Sequence, residues 1–577
     1  MSLLEPRATL WIGLAAAMLG GCSGPAPPVP AEPPSEPLSQ AEERRTGFDA
    51  AVDAAAAAIS GEYIREIVAE IADDRYEGRA PGSAGDAMTR EYLAAQLADI
   101  GFEPGAADGS WEQPVELVGI TAAAPAVWSF ARGEESVELV RGDDFVAASG
   151  VQDVRAEIPD TELVFVGYGI EAPEYQWDDL KGVDVEGKVL VMLNNDPDWD
   201  SELFAGTERL YYGRWTYKYE SAERHGAAGA IIVHTTPSAG YPWQVVQSSW
   251  SGAQFKLPST GDRGLQVEGW ITEDAARRLL GPEGNLDGLI RQARRRDFTP
   301  VPLGIRTALT LRNTLARVQS ANVLGVLRGG DADLADEFVI YSAHHDHLGI
   351  GDPNPAGEAG DRIHNGARDN ASGVGMLLAI ARAYATLAER PRRSIMMFFP
   401  AAEEQGLLGS EYFAAHPTVP PGKIAANVNY DSGNIWGRTR DITFIGLGKS
   451  SLDSIAADVA THQGRTLKPD QFPDRGSYYR SDQFNFAKIG VPAFYLNAGT
   501  DFIDRPEGWG VEQANAYTEH DYHQPSDELK PEWNFDGMVQ DAQFGFLAGS
   551  AVANDTQLPR WNPGDEFEAA RQSALAE

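Results

Sequence analysis

Between Phe338 and Asp431 the chain repeats one device that narrows its possible folds more than any other feature. Short apolar runs stop abruptly, and metal-type ligands stand where each one stops. EFVIYSA runs into His344, His345, Asp346 and His347, SIMMFFPAA into Glu403 and Glu404, and IAANVNY into Asp431. Asp369 lies between the first two, just ahead of the helical pattern ASGVGMLLAIARAYATLA. Predicted strands at 338–343, 395–399, 425–430 and 491–496 alternate with predicted helices at 371–389, 406–415 and 451–462. Alternation of this kind predicts an α/β fold, a mostly parallel mixed sheet flanked by helices. Such a sheet builds its site at the carboxyl ends of its strands.

Each of these residues also has a plainer reading. Histidines gathered at a strand end can be a polar loop, and an adjacent Glu-Glu pair is usually solvated. Two observations weigh against that. The chain has only ten histidines, yet three fall together directly after a buried strand, and the glutamates end its most apolar strand. Val374, Leu377, Leu378 and Ala381 give the helix after Asp369 a core face, which fixes that carboxylate where a helix N-terminus favours negative charge. Zinc takes nitrogen and oxygen ligands at roughly 2 Å, and two ions roughly 3.5–4 Å apart need a bridging carboxylate or water. Competing signatures are missing. There is no H-E-x-x-H and no G-x-S-x-G, and Thr443 stands where a phosphate loop ending Gly448-Lys449-Ser450 needs its first glycine.

A chain of 577 residues can hold more than one core. Its net charge of −38 excludes nucleic acid as an expected partner, since phosphate binding needs basic surface. The single cysteine, Cys22, rules out a disulfide within the chain and a cysteine-based zinc site. Arg7, the apolar LWIGLAAAML and then Leu19-Gly20-Gly21-Cys22 resemble a bacterial lipoprotein signal. The expectation is a signal peptide at 1–21, a proline-rich linker at 22–45, and a lipid on Cys22 that anchors an otherwise soluble body. By a sorting rule, Ser23 suits the outer membrane, facing the periplasm.

Residues 44–104 read as helical, with Ile64, Ile67, Val68 and Ile71 on one face and Tyr92, Leu93, Leu97 and Ile100 on another, before Gly101. Residues 136–302 read as a β-rich insert containing ELVFVGYG, GVDVEGKVLV and AGAIIVHTT, with helical EDAARRLLG and LDGLIRQARRR near its end. This block resembles the protease-associated domain inserted in some exopeptidases, most clearly at GYG and GVDVEGKVLV. ALTLRNTLARVQSANVLGVLRG reads as two or three strands, and 556–577 as a loosely held tail. That leaves 46–135 and 303–555 for the principal domain.

Five segments in order resemble metallopeptidase family twenty-eight, the di-zinc aminopeptidases and their glutamate carboxypeptidase relatives. They are His344-His345-Asp346, then Asp369-Asn370 with Ser372-Gly373, then Glu403-Glu404 ahead of Gly406, Leu407, Gly409 and Ser410, then Asp431, and finally Tyr522-His523 with Asp527. The resemblance implies one zinc on His344, Asp369 and Asp431, and a second on Asp369, Glu404 and His523. It further implies Glu403 as general base, Asp346 orienting His344, and Tyr522 stabilising the tetrahedral intermediate. Ser481 and Asp482 fall in a pocket-lining segment, with Tyr478, Tyr479 and Phe484 as wall or core. His345, His347, His364 and His520 are read as loop or supporting groups. The implied function is a zinc exopeptidase acting on peptides, foremost an aminopeptidase; cobalt or manganese would suit the same ligands. Its alternatives are a carboxypeptidase or dipeptidase, a glutaminyl cyclase-like transferase, and a binding module that has lost its metals.

Overall fold

The computed structural model describes residues 49–576 apart from 202, 251, 260–263 and 352–359. The expected signal peptide, linker and lipidation site therefore lie outside the described residues. The helix Gly61–Ile71 starts at Ser60, whose hydroxyl accepts the Tyr63 N–H, and buries Ile64, Ile67, Val68 and Ile71 as their spacing predicts. The helix Ala84–Ile100 buries Leu93 and Leu97 and ends where Gly101 turns left-handed.

The main strands in chain order are β1 (Glu112–Ala123), β2 (Arg155–Phe165), β3 (Val189–Leu193), β4 (Gly229–His234), β5 (Val267–Thr272) and β6 (Val301–Leu327). They continue as β7 (Phe338–Ser342), β8 (Ser394–Phe399), β9 (Ile424–Asn429), β10 (Asp441–Ile445) and β11 (Ala493–Ala498). β7, β8, β9 and β11 fall within two residues of the predicted bounds, whereas β10 has no predicted counterpart.

β8, β7, β9 and β11 pair in that order and are parallel, with β6 antiparallel on β8 and β10 antiparallel on β11. One face of this sheet packs Tyr341, Met397, Phe399 and Val428 against the helices Gly61–Ile71, Gly373–Thr386 and Asp536–Asn554. The other face packs Ile340, Met396 and Phe398 against Phe413 and Phe486. Burial on both faces is why these strands read as unbroken apolar runs.

β2, β3, β4 and β5 form a second parallel array. Helices at Trp215–Arg224 and Glu273–Gly284 accompany it. Its cores alternate along each strand, with Leu163 and Phe165 on one side and Val164 and Val166 on the other. The first of these cores reaches from Trp128 to Leu311, beyond the predicted limits 136–302 at both ends.

Two expectations are corrected. The stretch predicted as two or three strands is the single strand β6, 27 residues long. It pairs with β2 over Val301–Arg312, with β1 over Arg312–Val323 and with β8 over Val323–Leu327. Its polar middle mimics turns, but no glycine or proline interrupts Ile305–Leu324. The expected loose tail is held as well. Trp561, Phe567 and Arg571 are buried, Trp561 Nε1 donates to the Gly490 carbonyl at 3.0 Å, and Arg571 Nη1 to that of Ile424 at 2.9 Å. Three anchors in a polar, alanine-rich stretch are too sparse to show periodicity. Gly47–Glu577 forms one compact unit. Among the described residues no helix is long and apolar enough to cross a membrane.

Candidate metal centre

Because β8, β7 and β9 are neighbours running the same way, the residues just beyond them converge. His344 Nε2 lies 3.3 Å from Asp369 Oδ1, 3.3 Å from Asp431 Oδ1 and 3.8 Å from Glu403 Oε2. His523 arrives from a distant loop, its Nε2 3.0 Å from Glu404 Oε2 and 3.5 Å from Asp369 Oδ2. Asp369 thus turns one carboxylate oxygen toward each histidine. A tetrahedral ion with bonds of about 2 Å would hold its ligand atoms roughly 3.3 Å apart, so the nitrogen and oxygen donors gathered here fit zinc. His523 Nε2 and both carboxylate oxygens of Asp482 are buried without a hydrogen bond. Three overlapping sets keep their ligand atoms within 4.8 Å: His344, Glu403 and Glu404; His344, Asp369 and Asp431; His347, Asp369 and Glu404.

The electrostatics describe a site short of positive charge. Burial disfavours the charged form of His344, yet Glu403, Asp369 and Asp431 hold its imidazole well above its ordinary value. Burial is likewise overcome at His523, which the Glu404 carboxylate raises to about 10. At Glu404 burial is outweighed by His523 and His347, and the carboxyl falls to about 2. Asp369 is held well below the usual range against burial by the His344 and His523 imidazoles facing its two oxygens. Glu403 goes the other way: burial, with Asp431 and Glu404 beside it, pushes it well up despite His344. Adjacent in sequence, the two glutamates are opposite in proton affinity.

Much of the support for this cluster is not legible in the sequence. Arg79, in the loop GRAPGSAGD, is fully buried and donates to the carbonyls of Ile71, His345, Asn365 and Gly366, stapling the loops on either side of the site. Asp527 accepts the Arg368 and Asp369 N–H groups at 3.1 Å each. His347 Nδ1 meets Glu404 Oε1 at 2.5 Å, so this histidine supports or joins the cluster. His345 turns away to Asp86, 3.0 Å distant, and His520 is exposed. Asp346 differs in detail from the expectation. Its main-chain oxygen is 3.2 Å from His344 Nδ1 and its carboxylate 3.7 Å, while Oδ1 accepts the Glu403 N–H at 3.0 Å. Ala402, Ser432 and His523 all adopt left-handed backbone, at φ 54°, 82° and 59°. Non-glycine residues in that region cost on the order of 1–3 kcal/mol each and gather at functional sites.

A cavity of about 560 Å³ opens onto Glu403, Asp431 and His523. Tyr522 borders it, its ring 3.9 Å from that of His523 and its hydroxyl accepting from Arg480 Nη2 at 3.1 Å. Arg214, Trp215, Tyr241 and Trp250 line the cavity from the second array. Tyr479 and Phe484 belong to both wall and core, whereas Tyr478 is core alone.

Residues 322–547 match the model of Peptidase family M28, a span that contains every clustered histidine and carboxylate named above. The segment carrying the site is thus similar to the peptidases of that family. Aminopeptidase NAALADL1 of Mus musculus is 37% identical over 116 residues, 19% of this chain and 13% of that protein. Leupeptin-inactivating enzyme 1 of Streptomyces exfoliatus is 26% identical over 229 residues, 38% of this chain and 49% of that one. The matched stretches thus span less than half of these relatives. Among solved structures, an aminopeptidase from Aneurinibacillus sp. strain AM-1 aligns over 88% of this chain and 96% of its own, at 18% identity and a TM-score of 0.49. BSAP, a zinc aminopeptidase from Bacillus subtilis, aligns over 85% and 94% at 17% identity and a TM-score of 0.45.

Proposed function

We propose that the chain is a zinc-dependent exopeptidase, foremost an aminopeptidase, working with two metal ions. One observation carries the reading: Asp369 offers a separate oxygen to each of two ligand groups, with Glu403 beside them and not needed by either. His344, Asp369 and Asp431 would hold one zinc, and Asp369, Glu404 and His523 the other. Bound there, zinc supplies the Lewis acidity that polarises a peptide carbonyl and acidifies water. Glu403 takes the proton of the attacking water and passes it to the leaving amine, a role that its raised proton affinity suits. Asp346 holds the Glu403 main chain in place. The Tyr522 hydroxyl accepts from Arg480 and so keeps its own hydrogen for an oxyanion. The aminopeptidase names of the relatives support the choice of terminus.

A second reading, a carboxypeptidase or dipeptidase, is favoured by one feature. Arg214, Arg475 and Arg480 line the same cavity. Guanidinium groups so placed suit a substrate carboxylate.

The test is an assay of free and N-acetylated peptides with metal analysis alongside. Release of the N-terminal residue from free peptides only, abolished by chelation and restored by zinc, is expected. Glu403→Gln is expected to keep its zinc and lose roughly 10²–10⁴-fold in kcat. Cleavage of acetylated peptides at the C-terminus would establish the second reading, and loss of zinc from Glu403→Gln would reverse the roles of the two glutamates. Lipid anchoring through Cys22 in the bacterial envelope, at the outer membrane, belongs to this proposal on sequence grounds alone. Detergent-phase partitioning of the expressed protein, lost in Cys22→Ser, is the expected result.

A further inference from the structure

We infer that Ser249, at the end of the helix Trp243–Ser249 in the second array, is a positioning residue for the metal centre, fixing the ring of His523. Its hydroxyl lies 2.8 Å from His523 Nδ1. A histidine that ligates through Nε2 must carry its proton on Nδ1, and a partner for that proton fixes both tautomer and ring angle. Ser249 Oγ is placed to accept it.

The contrast with the other histidine sharpens the point. His344 finds its Nδ1 partner two residues along its own loop, at the Asp346 main-chain oxygen. His523 has left-handed backbone, and its Nδ1 contact crosses 274 residues of sequence. Two more contacts join the same surfaces. The Phe255 N–H donates to Gln405 Oε1 at 3.1 Å, next to Glu404, and Gln524 Nε2 reaches Ser248 Oγ at 3.4 Å. The Gln254 side chain donates to the Ser249 carbonyl at 3.1 Å and steadies the turn. Ser248, Ser249 and Phe255 therefore meet the chain beside Glu404 and at His523, whereas His344 Nδ1 is held within its own loop. The consequence is an asymmetric centre, in which one ion's affinity depends on how the second array is seated.

The inference rests on the two-ion reading proposed above, and the experiment separates the two. Zinc is titrated into metal-free protein against a chromogenic chelator, for the wild type, Ser249→Ala, Ser249→Thr and His523→Ala, with thermal melts of each. Wild type is expected to take two equivalents. In Ser249→Ala one of the two should weaken roughly 10–100-fold while the other is unmoved, with the melt of the metal-free form unchanged. Ser249→Thr, which keeps the hydroxyl, should restore it, and His523→Ala should lose that equivalent outright. Wild-type protein that takes no zinc would overturn the two-ion reading and this inference together. A Ser249→Ala protein with both affinities intact, or a weakening that Ser249→Thr fails to rescue, would overturn this inference alone.

Discussion

Gly366 shows how little room the centre leaves. Its φ is 53°, and a Cβ there would sit 2.2 Å from the Asp369 carbonyl oxygen and 2.6 Å from the His347 ring. The first neighbour is the main chain of Asp369 and cannot swing aside. Left-handed backbone alone makes alanine here cost upwards of about 1 kcal/mol. Gly366→Ala is therefore expected to lose bound zinc and turnover together and to melt below wild type, read by metal analysis and circular dichroism. Residues of this kind divide sharply in what sequence reveals. His344, Glu404 and Asp431 are legible because each ends an apolar run, where burying a charged side chain is costly unless something pairs with it. Arg79 and Ser249 are not, because the loops that Arg79 staples beside the site and the ring that Ser249 meets lie hundreds of residues away and no local pattern marks them. His347 stands in plain sight within the motif, yet spacing cannot tell which of three neighbouring histidines turns inward.

At the scale of the element, β4 carries a prediction about acid. His234, its last residue, is buried, with Nε2 3.1 Å from the Tyr241 carbonyl, and burial pushes its proton affinity down to about 4 from an ordinary 6.5. Below pH 6.5 the unfolded chain takes up this proton while the folded one does not until about pH 4. The unfolded state then binds more protons, so stability falls as pH drops through that window and levels off beneath it. The loss attributable to His234 is roughly 3 kcal/mol at most. Thermal melts of wild type and His234→Gln between pH 7 and 4 should show a shallower fall in the variant; parallel curves would exclude the assignment. Elements buried on both faces, β7 to β9, match their predicted bounds nearly to the residue, because continuous apolar runs allow little else. β6 defeats the same approach because it is paired along most of its length, with irregularities between Pro302 and Arg306 and between Thr307 and Leu309, yet is half solvated, so its polar residues imitate turns.

For the molecule as a whole, the sequence pattern separates a principal domain from an insert, and the structure shows why a clean cut is difficult to draw. The second core includes Trp128 and Leu311, and its helix Trp243–Ser249 reaches the metal centre. The cavity is walled by both arrays, so its shape belongs to neither alone. Charge is divided in the same spirit: a chain of net charge −38 sets four arginines, Arg214, Arg368, Arg475 and Arg480, along one cavity. β6 bears on how such a body can move. It runs as a single strand through both arrays, hydrogen-bonded to β2, β1 and β8 in turn. A loop between two bodies is a hinge, but a paired strand is a shaft, stiff against bending within its sheet and compliant mainly in torsion. If the second array moved over the cavity, β6 would have to twist with it, and Ser249 would carry that twist to the ring of His523.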